Sequence, residues 1–195
     1  MNAPLLPPAP GASEHPSLAL LNTTYSLPGN SAIELLDAPQ TATDWLIDQD
    51  LVPQGTELLE YCHGKLTSLR TQLRLLFEAQ VAQQVPDANA LAQVNAAIRT
   101  APQTLMLEHV PGEGFIQIAS HPVTQLVEHA MARIAEDAAL LLTSDEAPLL
   151  EECGAPSCNR LFLRTHGRRH WCSTRCGDRV RAARAYAKKK QATTT

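Results

Sequence analysis

Four cysteines stand close together near the end of the chain, as Cys153-x4-Cys158, thirteen residues, then Cys172-x3-Cys176. This spacing constrains the fold more than any hydrophobic pattern in the chain. Each pair can reach one metal ion from a tight turn, and the segment between them lets the chain return. The chain has 195 residues and five cysteines, so four within residues 153–176 predict a tetrahedral zinc site. A second ligand set is open: Cys153 and Cys158 with His166 and His170. It leaves seven residues between Cys158 and His166, where the cysteine–histidine finger class has about 12. It would also strand Cys172 and Cys176 as thiols. Ligation by all four cysteines accounts for the whole cluster.

The formal net charge of −4 conceals an asymmetry. Residues 153–195 carry eleven Lys/Arg against one acid, Asp178, a balance of +10; residues 1–152 carry five basic and nineteen acidic residues, a balance of −14. Such a split predicts two functional regions, with a polyanion as partner of the basic one. No apolar run reaches about 18 residues, so no transmembrane helix is expected. The opening MNAPLLPPAPGASEHPS lacks the charge and apolar stretch of a signal peptide. It reads as a disordered proline-rich lead-in, and cytoplasm is the expected compartment.

Apolar periodicity predicts a mainly helical body. Leu18–Leu21 opens it, and Pro28-Gly29-Asn30 marks a turn. Thr41-x-x-Asp44 resembles a capping box before a short helix through Trp45. From Thr56 to about Gln84, Leu58, Leu66, Leu69, Leu73, Leu76 and Phe77 recur at helical spacing. Pro86-Asp87 starts another helix carrying Leu91, Val94 and Ile98. Thr104–Val110, a Pro-Gly-Glu-Gly turn and Phe115–Ala119 predict one β-hairpin, closed by His121-Pro122. Val123–Leu142 returns to helical period. The expected class is therefore mainly α with one hairpin (α+β). A multihelical domain would span residues 17–143, after a disordered segment 1–16. An acidic linker would follow at 144–152, then a small four-cysteine zinc-finger module at 153–190 and a disordered tail at 191–195.

Within the module, Ser173 is positioned to cap a helix that carries the basic residues. At about 100° per residue, Val180, Ala183 and Ala187 continue the stripe of Cys176, predicting that this face packs on the module. Arg181, Arg184 and Lys188 fall on one flank, Arg175 and Arg179 on the other. With Arg168 and Arg169 these seven are the candidate nucleic-acid contacts; Arg160 and Arg164 would extend the basic surface into the knuckle. Arginine predominates, which suits bidentate phosphate or guanine contacts. The alternative is a solvated helix that balances the acidic body or a doubly negative zinc tetrathiolate.

Trp171-Cys172-Ser173-x-x-Cys176-Gly177-Asp178-Arg179, preceded by Cys153-x4-Cys158 and Phe162, resembles the CGNR zinc-finger family. Leu18–Thr23 with its Asn22-Thr23 pair, Trp45-Leu46 and the hairpin-then-helix order are similar to the ABATE domain. That domain usually precedes this finger in bacterial proteins described as stress-induced transcription regulators. The resemblance implies one zinc ion held by Cys153, Cys158, Cys172 and Cys176, and DNA as partner. The chain departs from the name-giving motif at Asp178, where the family has asparagine. An acid there would repel phosphate, and would pair with Arg179 or Arg175 or cap the backbone.

Other signals are weak. Glu60-x-x-His63 has the spacing of half a carboxylate-bridged di-metal site, but no second copy exists. Cys62 lies on an apolar stripe and reads as a buried small hydrophobe. No phosphate-binding glycine loop, nucleophile elbow or triad order is present, so no enzyme is expected. The leading reading is a zinc-containing DNA-binding regulator whose N-terminal domain acts in sensing or dimerisation. The alternative is a zinc-stabilised protein-interaction or RNA-binding module. No residue set identifies a small ligand in the helical domain.

Overall fold

The heaviest apolar stripe in the chain becomes its central helix. In the computed structural model, which describes residues 6–29, 31–100, 105–119 and 125–193, helix α3 spans Glu60–Ala82 and buries Leu66, Leu69, Leu73, Leu76 and Phe77. It starts later than the Thr56 expected from periodicity. Leu58 is buried ahead of the helix, and its N–H donates to Thr43 Oγ1 at 3.1 Å, which holds that residue outside the helical ladder. The helix stops at Gln83, whose φ of 53° and ψ of 42° place it in the left-handed conformation typical of a helix end.

Around α3 pack α1 (Pro16–Leu21), α2 (Pro39–Asp48), α4 (Ala88–Thr100) and α5 (Leu126–Thr143). α2 begins before the expected capping box: Ala38 is its first flanking residue, and Thr41 Oγ1 accepts the Ala38 N–H at 3.1 Å. Asp87 does cap α4, its carboxylate accepting the Ala90 N–H at 2.7 Å. Leu91, expected on the buried face of α4, is exposed, whereas Val94 is buried and Ile98 half-buried. The expected hairpin is present as β3 (Leu105–Val110) paired antiparallel with β4 (Gly114–Ala119). His121-Pro122 and the expected start of the following helix at Val123 lie outside the described residues.

Two further ladders add to the single hairpin expected. β1 (Thr24–Leu27) pairs with β2 (Ser31–Glu34); Pro28 and Gly29 form a turn between them, and Asn30 of the expected turn lies outside the described residues. β5 (Leu150–Glu152) pairs with β6 (Leu161–Leu163). Each strand has three or four residues, too few for alternation to register against the helical pattern around it.

β6 decides how the two regions join. Successive side chains of a strand point to opposite faces. Leu161 and Leu163 therefore enter the main core with α1, α3 and α5, while Phe162 enters a second core with the four cysteines, Ala155 and Val180. Asn22, at the end of α1, ties this strand down: its Nδ2 donates to the Leu161 carbonyl at 2.9 Å and its Oδ1 accepts the Leu161 N–H. Arg74 of α3 donates to the carbonyls of Asn159 (3.1 Å) and Leu21 (2.7 Å). Residues 144–152, expected as an acidic linker, are instead a 3-10 turn at Ala147–Leu149 followed by β5, with Ala147 and Leu150 buried. The module is a continuation of the helical body rather than an appendage.

The proline-rich start is also ordered from residue 6 onward, contrary to the expectation for 1–16; residues 1–5 lie outside the described residues. Ala9 and Ala12 are buried against the cysteine core, and the Leu163 N–H donates to the Pro10 carbonyl at 2.9 Å. His15 reaches Asp137 of α5 at 2.9 Å, and the same carboxylate accepts the N–H of Ser17 at the start of α1. Composition suggested disorder because it registers prolines, not the receiving surface on β6 and α5.

Candidate metal centre and basic helix

The cysteine knuckles are built by backbone hydrogen bonds before any metal is considered. The Cys153 N–H donates to the Arg160 carbonyl at 2.9 Å, the Gly154 N–H to His170 at 3.0 Å and the Cys158 N–H to Ala155 at 3.0 Å. Ser157 takes a left-handed φ of 63° to close the first knuckle. Gly154 sits in a tight approach, since a Cβ there would lie 3.2 Å from the His170 carbonyl oxygen. Helix α6 spans Thr174–Thr193, and Ser173 caps it as expected, its Oγ accepting the Cys176 N–H at 3.2 Å.

These constraints bring Cys153, Cys158, Cys172 and Cys176 together, buried, with all four Sγ atoms within 4.8 Å of one another. The Cys158–Cys172 and Cys172–Cys176 sulfur distances are 3.8 and 3.7 Å. Sulfurs about 2.3 Å from zinc at tetrahedral angles lie about 3.8 Å apart, so the set fits that ion. Protonation gives the same answer. The thiols of Cys158 and Cys172 and the Cys172 N–H hold Cys153 far below the usual thiol range, at about 2. The hydrogen bond to Cys153 in turn pushes Cys158 up to about 12 and Cys172 upward as well. Four sulfurs this close cannot all ionise without a cation among them. His166 and His170 are exposed and outside the cluster, which removes the mixed ligand set.

Two arginines expected on the nucleic-acid surface turn inward instead. Arg160 is 3% exposed, with Nη1 donating to Cys172 Sγ at 3.9 Å and its guanidinium 5.3 Å from the centre of the Tyr25 ring. Arg179 is half-buried, and its Nη2 donates to the Pro156 carbonyl at 3.1 Å and to Cys176 Sγ at 3.8 Å. Two guanidiniums thus face the sulfur cluster, matching the double negative charge that four thiolates and one zinc ion would carry. Nothing in their spacing marked them; only the fold brings residues 160 and 179 to two sulfurs of one cluster.

The remaining basic residues lie outward. Arg168, Arg175, Arg181, Arg184 and Lys188 are exposed and Arg169 is half-buried; Arg164 is committed to Glu151 at 3.0 Å. Asp178 pairs with Arg181 at 2.6 Å, and Arg181 also lies over the Trp171 ring. A Cβ on Gly177 would meet Trp171 at 3.0 Å and Arg181 at 3.1 Å, which accounts for the glycine after Cys176. The expected packing of Ala183 and Ala187 does not occur. Val180 is buried, but every residue from 181 to 192 is exposed, so the helix leaves the body after its second turn.

The weaker sequence signals resolve simply. His63 lies 3.6 Å from Glu60 and its Nε2 contacts the Leu36 carbonyl, a local pair on α3. Cys62 packs partly buried against the core. His109 stacks edge-on against Phe115. Among the described residues no helix is long and apolar enough to cross a membrane.

Comparison with known families assigns both regions. None of the curated proteins matches the chain. A family described as "Putative stress-induced transcription regulator", ABATE, matches residues 14–145, and the CGNR zinc finger matches residues 150–189. These are regulator and zinc-finger families, not enzyme classes. The finger family and the buried four-cysteine cluster together support one structural zinc ion. With two thirds of its length matched by the first family and most of the rest by the second, the chain belongs to the ABATE family and carries a C-terminal CGNR zinc finger.

Proposed function

We propose that this protein is a DNA-binding transcription regulator in which a zinc ion on Cys153, Cys158, Cys172 and Cys176 orients α6 toward the duplex. The supporting observation is the exposed C-terminal half of that helix. From residue 181 to 192 it is exposed throughout and carries Arg181, Arg184, Lys188, Lys189 and Lys190 with no acid. An α-helix fits the major groove of B-DNA, and 20 residues extend about 30 Å. Zinc acts structurally, because four protein ligands leave no open position for chemistry. Arg168, Arg169, Arg175, Arg184 and Lys188 supply phosphate contacts. Arg181 contributes only after release from Asp178, and Arg179 supports the sulfur cluster instead.

Binding of zinc-loaded protein to duplex DNA, measured as salt is raised, tests this reading. Affinity should fall linearly in log salt with a slope of about −0.9 per phosphate contact. Absence of binding at low salt overturns it. A second reading has one observation in its favour: Tyr186 is 72% exposed among these cations, as a residue that stacks on an unpaired base would be. Preference for single-stranded RNA over duplex, lost in Tyr186→Ala, would establish that reading instead. The N-terminal body takes the sensing or dimerisation role. Exposed Leu107 and Phe115, which share a face of the β3–β4 hairpin, are the surface to examine by sedimentation.

A further inference from the structure

A guanidinium taken out of water needs an anion beside it, because an unpaired buried charge is strongly destabilising. Three arginines of the body obey this rule with a glutamate each: Arg70 with Glu34, Arg74 with Glu78 and Arg164 with Glu151. Arg160 and Arg179 do not. Neither has a carboxylate partner among the described residues, and the Nε of each is buried without an acceptor there.

What both guanidiniums reach is sulfur. Arg160 Nη1 lies 3.9 Å from Cys172 Sγ and Arg179 Nη2 lies 3.8 Å from Cys176 Sγ, and those two sulfurs are 3.7 Å apart. Their other contacts carry no full negative charge: the Tyr25 ring for Arg160, the Pro156 carbonyl for Arg179. The two arrive from different elements. Arg160 stands just before β6, with its carbonyl accepting the Cys153 N–H, and Arg179 stands on α6. The anion that compensates both is therefore the metal centre itself, and its charge depends on the ion. Four thiolates around a divalent ion carry two negative charges, around a trivalent ion one, and around a monovalent ion three. Only the first equals the charge of the two guanidiniums, and out of water such a mismatch is poorly screened.

We propose that Arg160 and Arg179 select the charge of the metal centre, making the four-cysteine site specific for a divalent ion and unfavourable to a trivalent one. They act on the metal through the sulfurs and are positioning residues, not ligands. The inference rests on ligation by the four cysteines and is independent of whether α6 binds DNA.

Iron provides the test, because the same four sulfurs can then hold either oxidation state and the preference is read as a potential. The full chain is loaded with Fe2+ in place of zinc, and its thiolate-to-iron charge-transfer absorption on oxidation establishes the ligands first. A wrong ligand set is thereby told apart from a wrong role for the arginines. The couple is then measured by spectroelectrochemistry at fixed pH. Loss of one guanidinium should favour the ferric centre at least about tenfold, which lowers the potential of Arg160→Gln and of Arg179→Gln by about 59 mV or more. Arg184→Gln, which removes an exposed charge from the same helix, should leave it unchanged. Arg160→Lys and Arg179→Lys retain the charge and should stay close to the unsubstituted protein. Arg160 is buried, so Arg160→Gln can fail to fold; Arg179, half-buried on α6, then decides the matter alone. Potentials of Arg160→Gln and Arg179→Gln equal to that of Arg184→Gln overturn the proposal. So does a lysine variant that falls as far as its glutamine counterpart, since the effect would then be one of packing rather than charge.

Discussion

Arg179 and Gly11 show how much rests on single positions that look ordinary in the sequence. Arg179 reads as one more cation in a basic run, yet it donates to Cys176 Sγ and to the Pro156 carbonyl. Partners of this kind orient and electrostatically support metal ligands, and their loss typically weakens metal binding about 10–100-fold. Arg179→Gln should therefore lower zinc affinity by roughly that factor in a chelator competition, while Arg184→Gln leaves it unchanged. Equal effects of the two substitutions would reject the role. Gly11 has a φ of +86°, and a Cβ there would come within 2.6 Å of Leu163 Cδ1 and 3.0 Å of its Cβ. Gly11→Ala combines backbone strain with overpacking, so a loss of about 1–3 kcal/mol in urea unfolding is expected. Unaltered stability would mean that the N-terminal segment does not press on β6.

Among the elements, α6 and β6 divide the work of the C-terminal region. α6 is anchored by its first two turns, where Cys176, Gly177 and Val180 are buried, and is exposed from residue 181 to 192. A chain ending at Ala182 should keep its zinc and lose less than about 0.5 kcal/mol of stability, because exposed residues away from caps and cores contribute little. If the proposed function holds, the same truncation abolishes DNA binding; DNA affinity that survives it would place the interface elsewhere. The helix itself was legible in the sequence, from Ser173 and the cysteine spacing. Its packing was not. A helical wheel says that Val180, Ala183 and Ala187 share a stripe, but not that the surface beneath them ends after Val180. β6 was missed for a different reason: Leu161-Phe162-Leu163 is a continuous apolar run, and three residues buried on both faces have no alternation to detect.

For the whole molecule, the shared strand carries the main consequence. Phe162 packs with the cysteines, while Leu161 and Leu163 pack with α1, α3 and α5. Loss of the metal should therefore be felt throughout the chain. Zinc removal by chelator is expected to lower the melting temperature in one cooperative transition followed alike by far-UV circular dichroism and Trp45 fluorescence. Two separated transitions would instead describe an independent finger. Acidification should act in the same direction, since protons compete with zinc for the thiolates and affinity falls as pH falls. Zinc release measured against pH would follow that direction.

The sequence by itself determined the metal, its four sulfurs, the helical body and the basic end, because each is written in local spacing: ligand pairs, a 3.6-residue period, a run of one charge. The tertiary structure alone decided which arginines face sulfur and which face solvent. It also decided that the proline-rich segment from residue 6 onward and the acidic stretch before Cys153 pack against the body. Those outcomes depend on residues more than a hundred positions apart, such as Asn22 and Leu161, meeting across one strand. No local pattern encodes such a meeting, because it is set by how the two cores close on β6.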